Sequence, residues 1–464
     1  MNDQLPSAVL AVEAPTTAPA VSVIVPTRDV EDWISETLWS ILNQTLAELE
    51  VIVVDDGSTD RTREIVSAFA EADSRVRLVP NTARGGAAAR NLGVALAAGE
   101  YLAFADGDDI VPADAYARLV AQARSTGAEM VIGNHLVLEP QRTTTRNQSL
   151  PIYGGTRVGI TIADEPRFLR DRVCWNRIVR RPAWNAHGIA FAESRRSNDI
   201  HAMVRCYCAF SFDVIESPVY AYRRRVGATS MTAAKLQPDS LEQHFTQELA
   251  CMHAIRELDD ATVLEGYYRG ILEHDIWAHG RAIMAAGARE DARFDAARGL
   301  VAELLAGAPE RALAAVSETK ATAYRFAAAG DWRVAGVVAA LGDAPRLRTE
   351  LEAVGLAAVV DGFRAVAAPS ELLVRIIREG PLESLGSERV ATVGDAEALA
   401  ASRQLRDIRG SEASALGLTL QERSRIAIVA LSGRRARRNL SLADRGYRFS
   451  RRSAGSVLRL VGRR

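Results

Sequence analysis

Short apolar runs alternate with segments of helical periodicity through the first part of the chain. Strands are predicted at Val21–Val25, Glu50–Val54, Val76–Val79, Tyr101–Ala105 and Glu129–Gly133. Helices are predicted at Trp33–Gln44, from Ser58 or Thr59 (the expected caps) through Phe69, at Ala87–Ala98 and at Asp114–Ser125. Because strands that alternate with helices form right-handed βαβ units, this pattern predicts an α/β fold on a largely parallel sheet.

The pattern changes farther along the chain. The polar residues 140–165 predict a loop or lid, and residues 168–225 return to mixed structure. Beyond Leu236, segments rich in Ala, Leu, Arg and Glu predict a helical region. The shorter apolar segments between about 345 and 410 fit either a small α/β module or a helical module.

Length and composition narrow the class of protein. A chain of 464 residues can hold two or three domains, and 48% hydrophobic with 25% charged residues is ordinary for a soluble globular protein. The net charge of -1 gives no support for a nucleic-acid partner. The four cysteines form no Cys-x-x-Cys pair, which favours reduced thiols in a cytoplasmic protein. No membrane span or secretory signal is evident.

The two ends of the chain differ from the rest. Residues 1–20 are rich in Ala, Pro and Thr and predict a disordered leader. Residues 433–464 carry eleven arginines against a single carboxylate, Asp444. This basic tail fits two interpretations equally, a solvated tail or attachment to an anionic membrane surface at about 1 kcal/mol for each arginine.

Candidate chemistry is concentrated in Asp106-Gly107-Asp108-Asp109, directly after the apolar run that begins at Tyr101. Acidic residues at the carboxyl end of a strand lie where open α/β sheets bind ligands. Two carboxylates two residues apart, Asp106 and Asp108, can share a hard divalent cation that substrate phosphates complete. The structural alternative is that Asp108 or Asp109 caps the next helix.

Four blocks, in this order and spacing, resemble family 2 glycosyltransferases of the GT-A fold. They are VSVIVPT from Val21, VIVVDDGSTD from Val51, the run Gly85–Gly93 with its ARNLG, and YLAFADGDD from Tyr101. The resemblance covers about residues 21–232. It implies a Rossmann-like, nucleotide-sugar-binding GT-A domain. The helical pattern described above predicts a mostly α-helical C-terminal region after this domain.

The resemblance assigns the nucleotide end of a donor site. Pro26, Thr27 and Asp29 belong to the loop that cradles the base and ribose in this family, although an ordinary turn after a strand has the same composition. Asp55 stands where the family recognises the base. A carboxylate there can accept a hydrogen bond from a uracil N–H, which favours a uridine nucleotide.

The phosphate end of the donor is assigned to arginines and to the acidic stretch. Arg90 lies near the start of a predicted helix, where free N–H groups favour anions. Arg223 and Arg225 lie in a segment that resembles the loop closing over the diphosphate, and forked guanidinium donors suit phosphate oxygens. The alternatives are a surface salt bridge and a basic surface loop. The resemblance gives Asp106 to the ribose and the metal, and Asp108 to the metal, Mn²⁺ or Mg²⁺.

The acceptor side begins, by the same resemblance, at Cys174–Arg181. Asp199 stands where relatives place the catalytic base, while the preceding Glu of many relatives is Asn198 here. One carboxylate suffices for a single displacement that inverts configuration, because it needs only to take the proton of the attacking hydroxyl. The structural alternative for Asp199 is a helix cap.

The predicted activity is therefore inverting, metal-dependent transfer of a sugar from a nucleotide-diphosphate donor, with a UDP-sugar favoured. The acceptor is a glycan or a lipid-linked sugar in cell-surface polysaccharide synthesis, and the expected location is the cytoplasm, peripheral to the inner face of the plasma membrane. A GT-A-like binding module without catalysis is the alternative. A nucleotidyltransferase is disfavoured because the first strand is not followed by a Gly-rich loop with Arg and Lys. The predicted divisions are a leader at 1–20, a GT-A domain at 21–232, a helical region at 233–340, a small module at 341–432 and a basic tail at 433–464.

Overall fold

The computed structural model of the protein describes residues 18–225, 236–366 and 368–380. They form two compact units that divide between Ile271 and Leu272. Most of the predicted leader and all of the predicted basic tail lie outside the described residues.

The first unit combines a sheet with surrounding helices. Its strands are β1 (Val21–Thr27), β2 (Leu49–Asp55), β3 (Val76–Pro80), β4 (Tyr101–Phe104), β5 (Met130–Glu139), β6 (Arg142–Thr145), β7 (Arg157–Ile160), β8 (Arg177–Arg180) and β9 (Phe212–Arg223). The helices that begin in it are α1 (Ile34–Leu42), α2 (Thr62–Ala72), α3 (Gly86–Leu96), α4 (Ala115–Thr126), α5 (Arg146–Ser149), α6 (Arg181–Ala186), α7 (Ile200–Ala209), α8 (Pro238–Arg256) and α9 (Ala261–Glu273).

The strand order is β3-β2-β1-β4-β8-β5-β9-β7, with β6 paired to β5. Strands β1 to β4 are parallel, and β8 runs antiparallel to both β4 and β5. Since β9 is parallel to β5, both strands run in the direction of β4. The carboxyl ends of β1, β2, β4, β5 and β9 therefore lie along one edge of the sheet, which is called the carboxyl edge below. The chain order reverses at β1, which is where α/β sheets bind ligands.

The central strands are apolar along almost their whole length because helices cover both faces of a parallel sheet. Every residue of β1 and β2 is buried except Pro26. Helix α3 packs directly on β1 through Gly93, where a Cβ would lie 2.4 Å from Cγ2 of Ile24. This close approach fixes α3, and with it Arg90, over the carboxyl edge.

The predicted α/β fold is confirmed, and β1 to β5 lie at the predicted strands. The sheet is mixed rather than largely parallel, because β6, β7 and β8 pair antiparallel to their neighbours. The loop predicted at 140–165 is wrong in part, since β6, α5 and β7 lie there. The four residues of β6 pair with the exposed end of β5, so the segment is a strand without an apolar face. Neither Ser58 nor Thr59 caps α2, which starts at Thr62 after Arg61.

The second unit is helical in its described part, which ends at Gly380. Its helices are α10 (Asp275–Ala288), α11 (Asp295–Ala306), α12 (Glu310–Leu313), α13 (Glu318–Ala328), α14 (Trp332–Ala339), α15 (Ala344–Val354), α16 (Leu356–Ala365) and α17 (Ser370–Glu379). Helix α14 is buried from Val334 to Ala339. At Gly287 a Cβ would lie 2.5 Å from Cβ of Trp332, so α10 and α14 are in backbone contact.

The apolar segments beyond residue 345 form helices as far as they are described, which favours the helical interpretation of that module. Across the described residues, no helix combines the length and apolar character that a bilayer crossing needs. The predicted domain boundaries stay predictions.

Candidate active site

The acidic turn Asp106–Asp109 leaves β4 at the carboxyl edge, and a tyrosine of β9 holds it in place. The Tyr220 hydroxyl accepts a hydrogen bond from the Asp106 N–H (2.9 Å) and donates one to Oδ2 of Asp109 (2.9 Å). The Arg223 N–H donates to Oδ1 of Asp109 (2.7 Å). Asp109 is thus buried and organises the turn, while Asp106 and Asp108 keep partly exposed carboxylates. Neither Asp108 nor Asp109 caps α4, whose N-cap is Asp114.

Crowding of carboxylates is the main electrostatic feature of this turn. Burial and the charge of Asp106 raise the pKa of Asp108 above its ordinary value. Burial, Asp106 and Asp108 together raise the pKa of Asp109 to about 8. A divalent cation would favour the ionised carboxylates, and carboxylate oxygens are the ligands that Mg²⁺ and Mn²⁺ prefer. Asp106 and Asp108 therefore fit a divalent cation.

Each of these two carboxylates faces a guanidinium group. Nη2 of Arg90 lies 2.6 Å from Oδ1 of Asp106, and Nε of Arg225 lies 2.9 Å from Oδ2 of Asp108. Positive charge is therefore held on both sides of the acidic turn. This arrangement suits the binding of phosphates beside a cation.

The loops after β1 and β2 are tied to one another. Asp29 has a left-handed backbone (φ 50°), and its Oδ1 accepts hydrogen bonds from the Thr59 N–H (2.7 Å) and hydroxyl (3.1 Å). The Asp29 N–H donates to Oγ of Ser58 (3.1 Å). The buried Asp55 accepts from the Ser58 N–H (3.3 Å), and Nε of Arg63 lies 3.6 Å from its Oδ2. The two loops therefore form one preorganised surface at the edge.

The end of β1 connects this surface to the acidic turn. Pro26 and Thr27 close the strand, and the Thr27 carbonyl accepts a hydrogen bond from the Asp56 N–H (2.8 Å). A Cβ at Gly107 would lie 3.0 Å from Cγ2 of Thr27, so the turn packs against β1. The predicted base and metal residues are thus neighbours in the fold.

Arg90 joins the acidic turn to the loop before α7. Besides contacting Asp106, its guanidinium donates to Oδ1 of Asn198 (3.0 Å) and lies 5.6 Å from the Phe191 ring centroid. Asn198 is buried and also donates to the Ser194 carbonyl (3.2 Å). Asn198 therefore has a structural role at the position where the resemblance described above predicts Glu.

Asp199 occupies the N-cap position of α7 but makes no capping hydrogen bond with its side chain. Its carboxylate is therefore not used by the helix. Burial raises the pKa of Asp199 above its ordinary value, and the charge of Arg90 opposes that rise. A carboxylate whose pKa is raised is a stronger base, which suits proton abstraction near neutral pH.

Helix α8 supports the loop that carries Asp199. Oε1 of Gln243 accepts a hydrogen bond from the Arg195 N–H (3.0 Å), and Nη1 of Arg196 donates to Oγ of Ser240 (2.7 Å). Oγ of Ser197 lies 2.8 Å from Nδ1 of His244. The loop is therefore fixed against a helix that follows the sheet in the chain.

A buried ion pair attaches α8 to the sheet domain. Arg172 donates to both carboxylate oxygens of Glu248 (2.7 and 2.8 Å), and the Tyr267 hydroxyl donates to Oε2 (2.7 Å). We expect Arg172→Met to lower the free energy of unfolding by about 3–5 kcal/mol, because the variant leaves Glu248 buried without its cation.

Denaturant unfolding of the full chain measures this loss. Arg269→Met is the matched control, because Arg269 pairs with Glu265 at the surface and its removal should cost less than about 1 kcal/mol. Equal destabilisation by the two variants would show that the buried pair does not anchor α8.

The structure brings Arg90, Asp106, Asp108, Asp199 and Arg225 together at the carboxyl edge, with the predicted base-recognition residues on the adjoining loops. Arg223 departs from the prediction in one respect. Its guanidinium turns to α1, where it pairs with Glu36 (2.5 Å) and lies 4.5 Å from the Trp33 ring centroid. Its backbone N–H bonds to Asp109 of the acidic turn, and its positive charge counteracts the rise in the pKa of Asp108.

Sequence reasoning missed Tyr220 and the aromatic stack behind it. The ring of Trp175 stacks on Tyr220 (4.3 Å between centroids) and on Tyr222 (6.0 Å). Both tyrosines stand in the strand-like run before Arg223, where an aromatic residue is as typical of a core strand as of a site. The sequence pattern of this strand therefore could not indicate that its tyrosines support the acidic turn.

Comparison with known proteins identifies the relatives of this chain. The family model described as Glycosyl transferase family 2 matches residues 22–216. Glycosyltransferase GlyG of Streptococcus pneumoniae is 32% identical over 225 residues, which are 46% of this chain and 73% of GlyG. WfgD of Escherichia coli, a UDP-Glc:alpha-D-GlcNAc-diphosphoundecaprenol beta-1,3-glucosyltransferase, is 37% identical over 119 residues, 25% of this chain and 46% of WfgD.

A solved structure supports the fold. S. aureus TarS 1-349, crystallised with UDP-GlcNAc, superimposes with a TM-score of 0.58 at 21% identity. The match covers 69% of this chain and 90% of TarS 1-349. At this identity the likeness shows a shared fold.

Proposed function

We propose, from the premise that this chain belongs to glycosyl transferase family 2, that it transfers a sugar from a nucleoside diphosphate donor with inversion of configuration. The main support for the proposal is that the acidic turn, the guanidinium groups of Arg90 and Arg225, and Asp199 lie at one edge of the sheet. The Asp199 side chain makes no capping hydrogen bond in α7 that would otherwise explain its position.

The donor is proposed to be a UDP-sugar. Asp55 is buried beneath the joined loops, where its carboxylate accepts a hydrogen bond from the Ser58 N–H. A carboxylate at this position can also accept a hydrogen bond from a uracil N–H that enters between the loops. Uridine nucleotides also appear in the names of compared proteins, since WfgD uses UDP-Glc and TarS binds UDP-GlcNAc. Pro26 and Thr27 would complete the contact with base and ribose.

Asp106 and Asp108 would hold Mn²⁺ or Mg²⁺, and the chemistry that this ion supplies is neutralisation of charge on the departing diphosphate. Arg90 and Arg225 add positive charge on either side of the same carboxylates. Preorganised cations at the position where negative charge develops stabilise the transition state most strongly in a site shielded from water.

The proposed step is one displacement. Asp199 takes the proton of an acceptor hydroxyl while that oxygen bonds to the anomeric carbon, and the bond from this carbon to the diphosphate oxygen breaks. The electrons of the broken bond leave with the nucleoside diphosphate. Because attack and departure occur on opposite faces, the product has the inverted anomeric configuration.

The proposed acceptor is a glycan or a lipid-linked sugar of bacterial cell-surface synthesis. WfgD, which acts on a diphosphoundecaprenol-linked sugar, supports this class of acceptor. The cytoplasmic side of the membrane is the proposed place of action. Attachment through the arginines of residues 433–464 stays a prediction.

The pH profile tests Asp199 through its neighbour Arg90. Activity should fall as the pH drops through the pKa of Asp199, because the protonated carboxyl cannot accept a proton. The charge of Arg90 lowers that pKa, so Arg90→Gln should move the acid limb of kcat/KM to higher pH. We also expect kcat to fall at least about tenfold, a barrier increase of about 1.4 kcal/mol.

Arg84→Gln is the matched control, because Arg84 is an exposed arginine just before α3. It should keep the wild-type acid limb. If the acid limb of Arg90→Gln lay at the wild-type pH, Arg90 would not influence the pKa of the catalytic base.

A donor panel tests the proposed function as a whole. The full chain is incubated with UDP-, GDP-, ADP- and dTDP-sugars and a mixture of glycan and lipid-linked acceptors, with Mn²⁺, with Mg²⁺ or with EDTA. We expect nucleoside diphosphate release from a UDP-sugar that requires the metal. Absence of metal-dependent turnover with every donor would favour a binding module.

A further inference from the structure

A cavity of about 600 Å³ opens at the same edge of the sheet, beyond the acidic turn. It is bounded by the carboxyl-terminal ends of β5 and β9, by β6 and by α5. Its lining is polar and basic and includes the arginines Arg142, Arg146, Arg170 and Arg224. The residues assigned above to the donor, the metal and the base lie outside it.

The cavity adjoins the acidic turn through aromatic side chains. Trp175 and Tyr222 line it, and Trp175 stacks on Tyr220, which bonds to the turn. Burial, together with the charges of Asp109 and Asp108, raises the pKa of Tyr222, a ring that lines the cavity. The stacked rings of Trp175 and Tyr220 therefore connect the cavity to the acidic turn.

The lining has more positive than negative charge. It holds four arginines and two carboxylates, Glu139 and Asp171. Arg142 and Arg224 share Glu139, and Asp171 is also paired with the buried Arg177. Burial lowers the pKa of His135 to about 4, so this ring is neutral at pH 7. The arginines of the lining therefore outnumber its carboxylates by two.

Nδ1 of His135, a side chain only 5% exposed, has no hydrogen-bond partner among the described residues. Nε of Arg146 makes no hydrogen bond either, but it lies 3.7 Å from Oδ1 of Asp171 in an ion pair. Leaving a buried polar atom without a hydrogen bond costs free energy. His135 therefore favours a polar occupant over an apolar one.

We propose that this cavity binds a phosphate group of the acceptor. The inference rests on the proposed function, because it assigns the acceptor side of that reaction. A phosphate carries up to two negative charges and at least three acceptor oxygens, which match the arginines of the lining and the hydroxyls of Thr144 and Thr145. A carboxylate has one charge and two oxygens, so it would leave part of the lining unmatched.

Binding of a small phosphate ester tests the proposed phosphate site without depending on sugar transfer. Glycerol 3-phosphate is titrated into the full chain by calorimetry, with UDP and Mn²⁺ at saturation so that the donor site is filled. Arg142→Gln/Arg224→Gln removes two of the four arginines of the lining, and both side chains are largely exposed, so folding should be kept. We expect the Kd of this variant to rise at least about tenfold.

Controls define the specificity of this result. Arg124→Gln removes an exposed arginine paired with Glu100 at the opposite edge of the sheet and should keep the wild-type Kd. Arg142→Lys/Arg224→Lys should recover part of the affinity, and glycerol should not bind. Equal Kd values in wild type and the Gln variant, or no binding by wild type, would overturn the proposal.

Acceptor kinetics separate this inference from the proposed function. A free sugar, its 1-phosphate and the same sugar linked by diphosphate to a lipid in micelles are compared as acceptors. We expect a lower KM for a phosphate-bearing acceptor, a difference that the Gln variant loses, and the acceptor with the lower KM identifies a soluble or a lipid source. Equal KM values for free and phosphorylated sugar would overturn the inference and leave the transferase function intact. Failure of every donor to turn over would instead contradict the function.

Discussion

Replacing Asp199 with Asn is expected to lower kcat for sugar transfer by about 10²–10⁴-fold, the range that a positioned general base contributes. Asn has nearly the same shape but cannot take the acceptor proton. The fold should not change, because the Asp199 side chain makes no capping hydrogen bond in α7. Initial rates at saturating donor and acceptor measure the loss.

Glu193→Gln provides the matched control for this prediction. Glu193 is exposed and lies in the same loop, six residues before Asp199. This variant should keep the wild-type kcat, and UDP should bind wild type, Asp199→Asn and Glu193→Gln with equal affinity. Full transfer activity in Asp199→Asn would show that Asp199 is not the catalytic base.

Replacing Asp108 with Asn is expected to lower kcat/KM at least about 10²-fold at a fixed Mn²⁺ concentration. The site would lose one of its two proposed carboxylate ligands, and a bound metal stabilises transition-state charge by several kcal/mol. A rate titration with Mn²⁺ should show a midpoint displaced to higher metal concentration. This displacement distinguishes a lost ligand from general damage to the site.

Asp114→Asn is the control for the metal titration. Asp114 lies at the N-cap of α4 and pairs with Arg118 at the surface. Its replacement should leave the Mn²⁺ midpoint unchanged. A wild-type midpoint in Asp108→Asn would mean that Asp108 does not bind the metal.

The sequence predicted the central part of the fold because local patterns encode it. Apolar runs ending in acidic residues placed β2 and β4 correctly, and the side chains after them meet at one edge since parallel strands end together. The strand β6 was missed because an exposed edge strand has no apolar face. Its pairing with β5 depends on the neighbouring strand, which periodicity does not describe.

Contacts between distant segments could not be predicted from the sequence. Arg90 and Asn198 are 108 residues apart, and Tyr220 reaches the acidic turn over 114 residues. An apolar pattern indicates which face of an element is buried but not which polar partner it meets there. The same limit explains Arg223, whose guanidinium is held by α1 through Glu36.

The support from α8 shows a further limit of motif reasoning. The family match ends at residue 216, yet the loop carrying Asp199 is fixed by Gln243 and His244. The residues that hold the base in position therefore lie outside the motifs that predict it. Helical periodicity alone gave no indication of this role.

The most direct measurement of the central claim is calorimetric titration of UDP into the full chain, in Mn²⁺ and in excess EDTA. If Asp106 and Asp108 hold a cation beside the diphosphate site, UDP should bind at one site in Mn²⁺, and EDTA or Asp106→Asn should weaken that binding at least about tenfold. UDP affinity that is the same in Mn²⁺ and EDTA, or no UDP binding in either condition, would contradict the account.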